Sequence, residues 1–118
     1  MADFGLFIGW SRPVRGRERQ AIRVFNEAVE LWGRLQHQGE IEGFEAVFLE
    51  PHGGDLGGFF LLRGDREKLA RVRGSDDFLR LNMRADLIVE GYGVVGAELG
   101  ARIAEQMANY DAEVADLT

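Results

Sequence analysis

A chain of 118 residues with 46% hydrophobic and 29% charged side chains falls in the ordinary soluble globular class and not the disordered one. Its formal net charge of −6 argues against a nucleic-acid partner and against docking on an anionic membrane, since both need concentrated positive surface. The absence of cysteine removes disulfides, thiolate metal sites and cysteine nucleophiles together.

Phe4 to Ser11 reads as a first strand with Phe4, Leu6, Ile8 and Trp10 on one face and Gly5, Phe7, Gly9 and Ser11 on the other. The bulky face wants a core, and the second leaves room beside it. The residues before Ile8 carry no positive leader. No apolar run approaches the ~20 residues that span a bilayer, so the expected location is the cytoplasm.

From Arg17 to Gln38, Ala21, Ile22, Phe25, Ala28, Val29, Trp32 and Leu35 make one stripe at helical spacing, with Val24 and Leu31 on its shoulder. Gly39 is placed to cap this helix, and His37 in its last turn suits the negative end of the dipole. Phe44–Leu49 and Gly58–Leu62 then read as a hairpin joined by a turn rich in proline and glycine. A second helical region starts at Arg66, breaks at Gly74-Ser75 and resumes with Ser75 as its cap. Ile88 to Leu99 reads as the last strand and Ala101 to Ala115 as a last helix.

The order β-α-β-β-α-β-α predicts one α+β domain over 1–118, with 101–118 as a helical extension. Split βαβ connections give a four-stranded antiparallel sheet with the two main helices on one face. All four strands are apolar on both faces, so the other face needs a cover: the last helix or, preferably, a second copy.

The order of elements, the turn Pro51-His52-Gly53-Gly54 and the run Gly74-Ser75-Asp76-Asp77-Phe78 resemble the dimeric α+β barrel superfamily of ferredoxin-like domains. So does Arg84-Ala85-Asp86 leading into Val89-Glu90-Gly91-Tyr92-Gly93-Val94. The resemblance runs from about residue 4 to 99 and identifies no subfamily. It implies a homodimer whose two sheets face each other around a small-molecule cavity. Members include cofactor-free monooxygenases, isomerases, haem-handling enzymes and regulatory ligand-binding domains. No family site residue carries over.

The residues themselves offer few chemical groups. His52, in the turn, can move a proton near neutral pH or simply face solvent. Only Glu50 and Asp55 cluster with it, too few for a metal site. No cofactor is expected, with haem ligation by His52 or His37 the one left open. Glu45 pairs with Arg63 across the hairpin in the structural reading. In the functional reading Phe7, Ser11, Glu45, Arg63 and Tyr92 orient a largely apolar ligand. The glycines of the hairpin join strand to strand and so cannot cradle phosphate.

Three functions follow. The leading one is a homodimeric domain that binds a small apolar or aromatic molecule. The second is a small cofactor-independent enzyme, monooxygenase or isomerase, using His52, Glu45 or Tyr92. The third is a structural protein whose contact is the last helix.

Overall fold

The computed structural model describes residues 3–118. Leu6 and Ile8 of β1 (Phe4–Trp10) are each 2% exposed, and the alternation that separates them from Phe7 decides how the sheet faces. β1 lies between β4 (Gly58–Gly64) and β6 (Gly93–Glu98), antiparallel to both. Leu6 stands opposite Leu62, and Ile8 opposite Phe60 on one side and Val94 on the other. β3 (Gly43–Phe48) pairs antiparallel with β4 at the edge, so the sheet runs β3-β4-β1-β6. Each crossover skips one strand, which is the split βαβ arrangement.

α1 (Glu18–His37) makes the first crossover. Its end is a Schellman motif: Gly39 has φ +77°, its N–H donates to the Gln36 carbonyl, and the Glu40 N–H donates to that of Leu35. The buried stripe of α1 is Ala21, Val24, Ala28, Leu31 and Trp32. It is rotated toward Val24 and Leu31 from the expected line, and Ile22 is left 63% exposed.

The second crossover has two parts. Asp65 caps α2 (Arg66–Gly74), its carboxylate accepting the Lys68 N–H. Ser75 caps α3 (Asp76–Ile88), its hydroxyl accepting the Phe78 N–H, as expected. Trp32 and Phe78, both fully buried, meet with ring centroids 5.7 Å apart where α1 and α3 close over the sheet.

The stretch read as one strand from Ile88 to Leu99 is three pieces. Ile88 still belongs to α3, because it continues the inward series Phe78, Leu81, Ala85. Val89–Glu90 (β5) pairs with Arg12–Pro13 (β2) in a separate ribbon. Gly91, at φ +68°, turns the chain before β6 begins.

The sheet face turned away from the helices carries Phe7, Phe59, Leu61, Val47 and Val95. Phe7 and Phe59 meet there with ring centroids 4.9 Å apart and planes tilted by 30°. α4 (Ala101–Leu117) buries none of its own residues, so it does not cover this face as one expectation had it. Its root is pinned instead. Glu98 accepts hydrogen bonds from Arg66 (3.0 and 3.1 Å) and Arg102 (3.1 Å), and the Arg66 guanidinium lies 4.0 Å over the Phe4 ring.

Candidate functional site

A cavity of about 500 Å³ opens between the helix-facing side of the sheet and the helices α1 and α3. Its sheet side is formed by Trp10 at the end of β1 and Phe60 within β4, and short alanines stand among the helical residues above them. Trp10 and Phe60 rise from the sheet, with ring centroids 5.3 Å apart, and Phe25 of α1 stacks on Phe60 at 5.0 Å. Ala21, Ala28 and Ala85 line the helical side, too short to fill the gap. Phe48 and Ile22, exposed by 71% and 63%, form part of the rim.

The lining is almost wholly apolar. Its polar exceptions are Glu18, the phenol of Tyr92 and the indoles of Trp10 and Trp32. The Tyr92 hydroxyl donates to Asn82 Oδ1 at 2.5 Å. Burial first, and the Asp86 carboxylate second, push its pKa up to about 12, so the phenol stays neutral. Trp32 is fully buried, and its indole N–H has no hydrogen-bond partner among the described residues. Such a set can orient a flat, apolar molecule by ring contacts and one phenol.

The residues expected to bind a ligand do not meet. Tyr92 lines the cavity. Phe7, Glu45 and Arg63 lie on the opposite face of the sheet, where Arg63 Nη2 donates to Glu45 Oε1 at 2.9 Å, the expected cross-hairpin pair. Ser11 sits between β1 and β2 with its N–H on the Glu90 carbonyl at 2.7 Å.

His52 is an exposed turn residue. Its Nε2–H donates to the Leu56 carbonyl (2.8 Å) and its Nδ1 accepts the Gly54 N–H (3.3 Å), a pairing that requires the Nε2-protonated tautomer. The candidate catalytic set His52, Glu45 and Tyr92 is therefore spread over a turn, the open sheet face and the cavity. Neither His52 nor His37 lines the cavity, so the pocket offers haem no histidine ligand. Among the described residues no group of three or more histidine or acidic side chains is placed to hold a metal ion, and no helix is long and apolar enough to cross a membrane.

The aromatic lining was the part missed. Trp10 and Phe60 stand on the same strand faces as Leu6, Ile8 and Leu62, and Phe25 lies on the helical stripe, so each read as core. Nothing in the pattern shows that alanines face them.

No protein-family model and no curated protein matches the sequence. Solved structures do match. A dabb-family protein with a ferredoxin-like fold from Mesorhizobium loti superposes with a TM-score of 0.66 at 14% identity, over 85% of this chain and 100% of that one. A dimeric ferredoxin-like protein of unknown function from Thermobifida fusca gives 0.64 at 11% identity, over 84% and 93%. SnoaB, a cofactor-independent oxygenase from Streptomyces nogalater, gives 0.51 at 16% identity, over 85% and 98%. These likenesses agree with the strand order and the split crossovers, and the chain has the ferredoxin-like fold.

Proposed function

We propose that this protein is a homodimer that holds a small, largely apolar or aromatic molecule in the cavity between the sheet and the helices. The carrying observation is the cavity itself: about 500 Å³, walled by Trp10, Phe25, Phe48 and Phe60, with Tyr92 at one side. Support for the dimer comes from the open apolar sheet face and from the similarity to dimeric ferredoxin-like proteins. The charge of −6 and the absence of cysteine suit a cytoplasmic protein that binds neither nucleic acid nor membrane.

The test is titration with 1-naphthol, followed by the fluorescence of Trp10 and Trp32. Saturable binding that disappears in Ala28→Phe, with the melting curve retained, supports the reading. Equal binding by wild type and filled variant overturns it.

The second reading, a cofactor-independent oxygenase, is favoured by one observation: Tyr92 places a neutral phenol at the cavity of a fold shared with SnoaB. In that reading the phenol orients the substrate and Glu18, at the cavity's edge, takes the proton. Oxygen uptake with bound phenols that is unchanged in Tyr92→Phe and in Glu18→Gln removes those roles.

A further inference from the structure

Beside the apolar cavity lies a second pocket of opposite character, lined by Arg12, Pro13, Arg15, Glu18 and Glu90. Pro13 and Glu18 line both, so the two spaces adjoin across them. The cavity is walled mainly by rings and aliphatic side chains. Apart from Pro13, every side chain lining the second pocket is charged.

Those charges are not equally available. Glu90 accepts from Arg12 Nε at 3.3 Å, and the two oxygens of Glu18 accept the Gly16 N–H at 3.1 and 3.2 Å. Each carboxylate already has a donor within the chain. The arginines keep more in reserve. Glu90 engages only the Nε of Arg12 and leaves its two terminal nitrogens without a carboxylate. Arg15 has no carboxylate partner at all among the described residues.

The local charge balance points the same way. Arg12, Arg15, Arg17 and Arg19 are close together in the sequence, with Glu18 the one acid among them, in a chain whose net charge is −6. Arg17 is turned to α3, its Nη1 donating to the Leu87 carbonyl, and Arg19 does not line the pocket. Arg12 and Arg15 are the two that reach it, and only Glu18 and Glu90 stand with them.

A guanidinium with free terminal nitrogens presents a planar fork that matches a carboxylate. A carboxylate drawn into the apolar cavity would lose its water without gaining a cation, which is costly. At the junction beside Pro13 it stays hydrated and meets the arginines, while an attached ring lies against Trp10 and Phe25.

We infer that the ligand is an aryl carboxylate, bound with its ring system in the cavity and its carboxylate forked by Arg15 and Arg12 in the adjoining pocket. The inference rests on the cavity reading above, and it adds the class and the orientation of what the cavity holds.

The test is calorimetric titration with three probes that share one ring and differ only in the head group: 1-naphthaleneacetate, 1-naphthaleneethanol and 1-naphthaleneethylamine. Wild type, Arg15→Gln and Ala28→Phe are compared, each with its melting curve. Arg15→Gln is expected to weaken the acetate ~10-fold and to leave the alcohol unchanged, and added salt is expected to weaken the acetate alone. Ala28→Phe is expected to abolish binding of the acetate and the alcohol together. Acetate binding that is unchanged in Arg15→Gln, or an amine that binds wild type more tightly than the acetate, overturns the head-group site and leaves the cavity reading standing if the alcohol still binds. Acetate binding retained in Ala28→Phe shows an anion held by arginines outside the cavity and overturns the two-ended ligand. No binding of any probe overturns the cavity reading and the head-group site with it.

Discussion

The Tyr92 hydroxyl donates to Asn82 Oδ1, tying the approach to β6 to the middle of α3 along one wall of the cavity. Tyr92→Phe removes that bond and leaves the amide oxygen half-buried without a partner, so it should cost about 1 kcal/mol of stability by urea unfolding. The pH dependence has a definite sign. The folded pKa, raised from 10.0 to about 12, keeps a proton on the folded phenol that the unfolded chain releases. The contribution is therefore complete below pH 10 and is lost as pH rises toward 12. The difference in urea midpoint between wild type and Tyr92→Phe should shrink across that window; a constant difference would refute the shift.

Trp32 is enclosed by Phe60 and Phe78, with centroids 5.8 and 5.7 Å away. Trp32→Ala should cost roughly 3–5 kcal/mol in a thermal or urea melt. Trp32→Phe should cost less, because the indole N–H it deletes makes no hydrogen bond. An unchanged melt for the alanine variant would contradict the helix–sheet core.

Two glycines should behave oppositely. A Cβ on Gly57 would stand 2.0 Å from the Ser11 carbonyl oxygen, in a segment whose Gly57 N–H is bonded to the Trp10 carbonyl at 2.8 Å. Gly57→Ala should destabilise by about 1–3 kcal/mol, since backbone has to move. A Cβ on Gly93 meets nothing within 4 Å, so Gly93→Ala should leave the melt within about 0.5 kcal/mol. Equal effects would mean that the loop relaxes freely.

Glu45 and Arg63 form a half-exposed pair, so Glu45→Ala in a dilute, dissociated sample should cost no more than about 1 kcal/mol. In a dimer that covers the open face, the same change strands Arg63 and should weaken association more than folding. Sedimentation velocity and melting, measured on the same variant, separate the two effects.

Much of this fold is legible in the residues because period-two and helical patterns report burial directly. The alternation of Leu6 and Ile8 with Gly5, Phe7 and Gly9, the cap at Ser75 and the terminator at Gly39 all appear where the pattern places them. The break at Gly91 was hidden, since a glycine within an apolar run is as compatible with a strand as with a turn. The cavity was hidden for a different reason. Trp10, Phe25 and Phe60 carry the pattern of a filled core, and only the alanines that oppose them across the layer, far apart in the chain, leave the space open.

The pleat of β1 has a consequence for which changes this protein can tolerate. Even-numbered positions from Phe4 to Trp10 face the helices and the cavity, and odd-numbered positions from Gly5 to Gly9 face away. Substitutions can therefore tune one surface without touching the other. A single inserted or deleted residue in this central strand would exchange the two, sending Leu6 and Ile8 outward and glycines into the core. Length variation should thus be confined to the hairpin turn and the outer loops, while β1 varies only by replacement.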